Sequence, residues 1–210
     1  MEAIKSAFAW NNGGIWMWFI CAVSVGCLAL LTERVYYIFF KFNTNARQLM
    51  DAVQRNVIQN NIDGAVQVCN AARTSAVARV VKAGLGRADR SQLEIQNAIE
   101  EATLEVVPEV TRFLPTLASL ANIATLLGLL GTIIGLIDSF AALKDAAPDK
   151  RQEKLSAGIA IAMNTTAFGL IVAIPTLLFH TILSVTAKNI LDSIELCSTK
   201  VGNLLSQRAK

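Results

Sequence analysis

The chain has 210 residues, of which 53% are hydrophobic and 17% are charged, and its mean hydropathy is +0.46. Average soluble domains are about 45–50% apolar and about 25% charged, and the apolar excess here is concentrated in a few stretches, which indicates membrane spans. The 19 Lys/Arg and 16 Asp/Glu give a net charge of +3 without a basic run, which argues against a nucleic-acid partner. Four dispersed cysteines and one histidine argue against a metal site, and no cofactor is expected.

The first predicted membrane helix comprises residues 15–40. Ile15 to Thr32 is 18 residues without a charge, close to the roughly 20 that a bilayer crossing needs. Aromatic residues flank both ends, as in interfacial belts: Trp16, Trp18, Tyr36, Tyr37, Phe39 and Phe40. No small-residue cleavage site follows, so we interpret the segment as a retained anchor rather than a signal peptide. Residues 1–14 are then a periplasmic N-terminus and a candidate interfacial helix.

Residues 41–112 are expected to form a cytoplasmic helical region. Polar-to-amphipathic periodicity predicts three short helices, at Asn43–Ile58, Asp63–Ala72 and Thr74–Leu85. The third should bury one face, formed by Ala76, Val77, Val80, Val81 and Leu85.

A capping box, Ser91-Gln92-Leu93-Glu94, predicts the start of a longer helix. No stop signal follows until about Asp138. Pro108 and Pro115 fall inside this stretch, and we expect them to kink the helix rather than end it.

Two further membrane helices are predicted at residues 113–137 and 155–187, which are 25 and 33 residues without an acidic residue, Lys or Arg. Residues 138–154 form a periplasmic loop between them. Because the third stretch outruns the bilayer, it should continue as a helix into a cytoplasmic tail, residues 188–210. The predicted fold is therefore an all-α integral membrane protein with three transmembrane helices and long cytoplasmic helical extensions of the second and third spans.

The distribution of Lys and Arg predicts the orientation. The middle segment and the tail share one side and carry 14 bases, whereas the N-terminus and the short loop carry 5. The positive-inside rule places the side with more bases in the cytoplasm. The N-terminus is then periplasmic and the C-terminus cytoplasmic.

The second span carries a small-residue face. Gly128, Gly131 and Gly135 are spaced three and four apart, so they share one side of a helix with Thr132 beside them. Thr125 lies seven residues before Thr132 on the same side. Such a face lets another backbone approach closely, and hydroxyls can hydrogen-bond across helices.

The third span repeats this pattern with a small stripe: Gly158, Ala162, Thr166, Gly169 and Ala173. Asn164 and Thr165 lie beside it, and Pro175 follows. In an arbitrary membrane protein, helix packing alone would explain both stripes about twice as often as a functional site.

Three motifs carry a resemblance to a known family: residues 114–124, LLGLLGTIIG at 126–135 and GIAIAMNTTAFGLIVAIP at 158–175. Together they resemble the two signature spans of the MotA/TolQ/ExbB family, the ring and channel subunits of proton-driven motors. In size and order of spans the chain is similar to the TolQ/ExbB branch.

The resemblance implies a homopentameric ring in the inner membrane around two copies of a single-span partner of the ExbD/TolR/MotB kind. The transmembrane aspartate of that partner would carry the proton. Thr132 and Thr166 match the ring threonines that face it, and Thr165, Asn164 and Thr125 are further candidates for the pore. An envelope-spanning energy-transducing protein is another candidate partner. The helix-packing set is Gly128, Gly131, Gly135, Gly158, Ala162, Gly169 and Pro175.

One departure from the resemblance concerns the third span. TolQ and ExbB carry a glutamate where this chain has Ile161. Glu33, Arg112, Asp138 and Lys154 all lie at span ends, where charges cost little, whereas a carboxylate at mid-bilayer is costly and marks a relay. If protons cross here, the titrating group comes from another chain.

The sequence allows two interpretations at each of three polar sites. Asn164 either lines the pore or hydrogen-bonds within the helix bundle, at even odds. Asp138 either gathers cations or, as we favour, is a solvated helix end. Glu33 and Arg34 either pair with each other or anchor at the headgroups.

The predicted function is a ring subunit that couples proton flow to work on the cell envelope, as in protein transport. The alternative is a structural scaffold of the same fold without proton conduction, with Ile161 as its sign. A secondary transporter fits poorly because three spans without a repeat offer no midplane substrate site. An enzyme fits less well still, since no nucleophile–base pair is present.

Overall fold

The computed structural model describes residues 14–42, 46–144 and 147–208, and these are all helix, turn or connecting segment, without a strand. A π-helical segment, Tyr36–Phe42, follows the first helix. The α-helices are α1 (Gly14–Val35), α2 (Ala46–Ile58), α3 (Ile62–Ala71), α4 (Ala76–Leu85), α5 (Gln92–Thr111), α6 (Leu114–Ala142) and α7 (Arg151–Arg208).

Three helical stretches are long and apolar enough to cross a membrane, at Ile15–Phe39, within Gln92–Ala142 and within Arg151–Ser206. The second and third continue well beyond the roughly 20 residues that a span needs. The predicted fold class is thereby confirmed. The protein is an all-α integral membrane protein with three membrane-spanning helices and long helical extensions.

The chain divides into two compact units. Unit 1 comprises Met1–Thr32 and Phe113–Thr181, and unit 2 comprises Glu33–Arg112 and Ile182–Lys210. Unit 1 therefore contains most of α1, all of α6 and the N-terminal part of α7, and unit 2 contains helices α2 to α5 with the C-terminal part of α7.

Unit 1 exposes large apolar side chains, as expected where lipid or another subunit replaces water. Those on α6 are Ile123, Leu126, Leu129, Leu130, Ile133, Ile137 and Phe140. Its small residues, by contrast, are turned inward, because Gly128, Gly131 and Gly135 are all buried. This is the reverse of a water-soluble core, where large apolar residues lie inside.

Unit 2 has an apolar core of its own. The largest fully buried aliphatic side chains include Leu85, Ile95, Ile194, Leu205, Val53, Val80 and Val81. All five residues predicted for the buried face of α4 are buried. At Gly84 an added Cβ would lie 2.8 Å from Ile99 Cγ1, so α4 and α5 pack closely at this glycine.

Helices α3, α4 and α5 begin at side-chain caps, and the cap of α5 is the one that the capping box predicts. Ser91 Oγ accepts a hydrogen bond from the Glu94 amide at 3.3 Å, Ser75 caps α4, and Asn61 Oδ1 accepts from the Gly64 amide at 2.8 Å. Asn60 takes a left-handed conformation with φ of 60° in the turn before α3.

The prediction of one continuous helix through both prolines is wrong. Helix α5 runs through Pro108 but ends at Thr111, and Phe113 has a left-handed backbone with φ of 61°. Helix α6 then begins at Leu114 with Pro115 in its first turn. In a continuous helix the Pro115 ring would clash with the Thr111 carbonyl, whereas proline is well tolerated in a first turn.

Both long helices run beyond the charge-free segments that predicted them. Helix α6 reaches Ala142 rather than residue 137, and α7 begins at Arg151 rather than residue 155. Helix α7 continues beyond residue 187 to Arg208, where the sequence predicts a helical tail. Four predicted features lie outside the described residues: the N-terminus through residue 13, the start of the helix at Asn43, part of the loop at 145–146, and residues 209–210.

Candidate functional site

The small face of α6 contacts the small face of α7 within unit 1. At Gly128 an added Cβ would lie 3.2 Å from the Thr165 carbonyl oxygen and from Thr166 Cα, and at Gly135 it would lie 3.1 Å from Ala162 Cβ. Helices α6 and α7 approach each other this closely because the residues at the contact are small, and larger side chains would prevent it.

Helix α7 contributes two glycines to the same contact. A Cβ at Gly169 would lie 2.7 Å from the Ala124 carbonyl oxygen, and a Cβ at Gly158 would overlap the Ser139 hydroxyl. Six of the seven residues predicted for packing therefore lie at this contact. Pro175 is exposed, because it is two residues beyond the buried Ala173 and so about 200° around the helix.

A pair of threonine hydroxyls lies at the centre of the contact. Thr132 Oγ1 and Thr166 Oγ1 are hydrogen-bonded to each other. Thr166 Oγ1 also donates to the Gly128 carbonyl at 2.9 Å, and Thr132 Oγ1 lies 3.1 Å from the Gly128 carbonyl and 3.2 Å from the Ala162 carbonyl. Each hydroxyl has one proton and two acceptor lone pairs, so the pair can exchange donors and acceptors without moving the helices.

The other predicted pore residues differ from this pair. Thr165 is 1% exposed, and its hydroxyl donates to the Ala162 carbonyl at 2.7 Å while packing against Gly131. Thr125 donates to the Ala121 carbonyl of its own helix at 3.2 Å. Asn164 is half-buried, one residue before Thr165. Thr132 and Thr166 are thus brought together directly, and Thr165 adjoins them.

A cavity of about 310 Å³ lies at the end of the α6–α7 contact, near Asp138. Lys154 and Ile161 line it with Asp138, and Gly135 and Gly158 form part of its wall. Asp138 and Lys154 are both exposed, as expected of charges at helix ends. Between these ends, residues 113–137 and 155–187 contain no Asp, Glu, Lys or Arg, so the contact is polar but uncharged.

A second polar cluster, in unit 2, was not foreseen. Arg34 is 1% exposed; its Nη2 donates to Glu33 Oε1 at 3.0 Å and its Nη1 to the Glu109 carbonyl at 3.3 Å. Its guanidinium lies 5.6 Å from the centre of the Tyr37 ring. The predicted Glu33–Arg34 pair is confirmed. The burial of Arg34 and its bond to α5 were not predicted, because Glu109 is 75 positions away in the sequence.

Glu109 connects this cluster to α4. Its carboxylate accepts two hydrogen bonds from Arg79, at 2.6 and 3.1 Å, and this bonding raises the pKa of the Arg79 guanidinium. One residue of α5 therefore holds Arg34 through its backbone and Arg79 through its side chain. The last four carbonyls of a helix have no amide partner within it, and Glu109 lies in the last turn of α5, so its carbonyl can accept the bond from Arg34. The sequence gives no signal for this contact, because it predicts no helix end there.

The residues that the structure describes contain no group of three or more His, Cys, Asp or Glu that could hold a metal ion. The chemistry available at the α6–α7 contact is consequently that of hydroxyls and backbone carbonyls.

Comparison with known proteins identifies the family. Residues 72–196 match the MotA/TolQ/ExbB proton channel family. An ExbB-like biopolymer transport protein of Synechocystis sp. is 30% identical over 168 residues, 80% of this chain and 79% of that protein. A protein of Methanothermobacter thermautotrophicus, named as a biopolymer transport ExbB homologue, is 26% identical over 187 residues, 89% of this chain but 65% of that protein.

The biopolymer transport protein ExbB of Aquifex aeolicus is 34% identical over 100 residues, 47% of this chain and 66% of that protein. The matched region contains α6 and most of α7, including the Thr132–Thr166 pair. The chain belongs to the MotA/TolQ/ExbB proton channel family.

Proposed function

We propose that this protein is the ring subunit of an inner-membrane complex that couples proton flow down the proton-motive force to work on the cell envelope. It acts as a channel subunit rather than an enzyme. Five copies surround two copies of a single-span partner of the ExbD/TolR/MotB kind, whose aspartate carries the proton. A further, envelope-spanning protein receives the work.

The observation that carries the proposal is the Thr132–Thr166 hydroxyl pair. It lies half-buried between two apolar stretches, residues 113–137 and 155–187, that contain no Asp, Glu, Lys or Arg. Hydroxyls can pass or position a proton, but a carboxylate is needed to hold it at mid-bilayer. Moving one charge through 100 mV releases about 2.3 kcal/mol, so a few protons per step supply enough free energy for an envelope rearrangement.

In this proposal residues 15–40, 113–137 and 155–187 cross the membrane, with residues 138–154 in the periplasm. Residues 41–112 and the tail, 188–210, lie in the cytoplasm. The excess of Lys and Arg in the latter two segments supports this orientation.

The test is proton flux in proteoliposomes that contain the protein and its co-encoded single-span partner. We expect Thr132→Ala and Thr166→Ala each to lower the flux by at least about 100-fold, in the range of losing a positioned proton-transfer group. The matched control is Thr181→Ala, since Thr181 is exposed in the same unit and donates only to the Leu177 carbonyl at 2.9 Å. Mass measurement of the purified complex checks that each variant assembles.

Full flux in both threonine variants would contradict the pore assignment. Changes at Thr125 and Asn164, each to valine, then measure how far the polar track extends beyond the pair.

The alternative function is a structural scaffold without conduction, and Ile161 favours it. An apolar side chain lines the end cavity where the family members that this chain resembles carry a glutamate. The scaffold predicts a complex of normal mass with no flux above the partner-free background. The ring-subunit proposal predicts flux that depends on the partner's aspartate.

A further inference from the structure

A small cavity in unit 2 is separate from the α6–α7 contact and plays no part in the proposed proton path. Its volume is about 230 Å³. It lies where the end of α3, the turn before α4 and the first two turns of α4 meet. Its lining residues are Cys69, Asn70, Arg73, Ala78, Arg79 and Lys82.

The lining is cationic. Arg73, Arg79 and Lys82 carry positive charge, and no carboxylate is among the lining residues. The neighbouring cavity, of about 360 Å³, shares Arg79 and Lys82 but is lined by Glu105 as well. Of these two cavities, only the smaller has no carboxylate among its lining residues.

The bonds to Glu109 hold the Arg79 guanidinium in place and leave it able to donate further hydrogen bonds. Glu109 holds its guanidinium through two hydrogen bonds, and an arginine has five N–H donors. Because Glu109 offsets the charge of Arg79, the net positive charge of the cavity comes from Arg73 and Lys82, which are both exposed to solvent.

The thiol at the cavity adds no negative charge. Burial raises the pKa of Cys69 to about 11, and the charge of Lys82 acts in the opposite direction. Cys69 thus stays protonated at neutral pH, and Lys82 lines the same cavity.

An oxyanion with several acceptors fits this arrangement. Two guanidinium groups, an ammonium and the Asn70 amide are all hydrogen-bond donors, and arginine recognises phosphate through paired N–H groups. A water molecule occupies about 30 Å³, so the cavity has room for a tetrahedral oxyanion with some of its hydration water.

We propose that the cavity bounded by Arg73, Arg79 and Lys82 binds a phosphate group. The phosphate belongs either to a free phosphate or phosphomonoester or to the headgroup of an anionic phospholipid. This site is independent of proton conduction and goes beyond the proposed function.

The experiment compares two double variants of the full chain. Arg73→Gln with Lys82→Gln removes the two charges that give the cavity its net charge. Arg47→Gln with Arg55→Gln removes two exposed charges from α2 in the same unit, at residues that do not line the cavity. Both pairs change the net charge of the protein equally, so long-range electrostatics is matched.

The first arm places the protein in nanodiscs of phosphatidylcholine and titrates inorganic phosphate by calorimetry. We expect the cavity variant to bind phosphate at least about tenfold more weakly than the wild-type protein, which corresponds to about 1.4 kcal/mol in binding free energy. The α2 variant should bind phosphate with a dissociation constant within about twofold of the wild-type value. This result supports the site and identifies a free phosphate as its ligand.

The second arm purifies the protein from membranes containing phosphatidylglycerol and counts retained lipids by native mass spectrometry. Loss of retained phosphatidylglycerol in the cavity variant alone supports the site and identifies a lipid headgroup. If the two double variants behave alike in both arms, the proposal is overturned, whether binding is unchanged or equally weakened.

Discussion

The two polar clusters of this protein solve the same problem, holding helices together, by different means. In unit 1, α6 and α7 meet through glycines, alanines and threonine hydroxyls, without a charged side chain between them. In unit 2, Arg34 and Arg79 both bind Glu109, and one of the two arginines is fully buried.

The surroundings explain the difference. Lipid is as apolar as leucine, so burying large apolar side chains between membrane helices gains little, and close packing with local hydrogen bonds has to hold them together. A charge at the bilayer centre costs about 2.5–3.5 kcal/mol even on insertion scales. At the end of a span, where charges cost less, an arginine can stay charged if several acceptors surround it.

The largest expected effect breaks the small-residue contact. Gly169→Ala places a Cβ 2.7 Å from the Ala124 backbone carbonyl, which cannot rotate away as a side chain could. We expect a loss of about 3 kcal/mol in the free energy of unfolding, the upper end for overpacking. Denaturation in detergent micelles measures it.

Gly202→Ala is the control for this substitution, since it lies on the same helix with no atom within 4 Å of the added Cβ. We expect it to raise stability by up to about 1 kcal/mol, because alanine is the better helix former. Equal stability of the two variants would show that the α6–α7 contact is looser than described.

The second effect removes the buried charge in unit 2. Arg34→Gln deletes the bonds to Glu33 and to the Glu109 carbonyl, and we expect it to cost about 2 kcal/mol, the value for hydrogen bonds to a charged group. The same denaturation assay measures it. Arg55→Gln is the matched change, since Arg55 is exposed and bonds only to the Asp51 carbonyl of its own helix at 3.3 Å, and it should cost little.

The smallest effect separates the two roles of Glu109. Glu109→Gln keeps the backbone carbonyl that binds Arg34 and removes only the carboxylate that binds Arg79. Because that pair is about 36–45% exposed, we expect a cost below about 1 kcal/mol. The cost should shrink further in 1 M salt, where charges are screened within about 3 Å. A cost as large as that of Arg34→Gln, unaffected by salt, would contradict this division.

The sequence predicts the features that depend on neighbouring residues or on a regular spacing. The α4 face, the Ser91 cap and the small stripes follow from spacing alone, because each depends on residues within two or three turns. The two small faces predict that α6 and α7 pack against each other. The spacing does not predict the register of that packing, and so it does not predict that Gly128 lies against Thr165.

Contacts between distant residues were beyond such reasoning. Arg34 and Glu109 are 75 positions apart, and nothing in either segment specifies the other. Arg79 and Lys82 are three apart on α4 and share a face of it, but Arg73 precedes the helix, and it lines the same cavity because the turn before α4 brings it beside them. The break at Phe113 was missed because proline permits either a kink or a new start, and the choice depends on the surrounding packing.

That break also sets which insertions the chain can accept. One extra residue in a continuous helix turns every later side chain by about 100°. Between α5 and α6 the helical phase is reset at Phe113, so a change in length of α5 need not rotate the glycine face of α6. Helix α7 has no such reset from Arg151 to Arg208, and a single insertion near Thr181 would turn the whole buried face of its C-terminal part away from the core of unit 2.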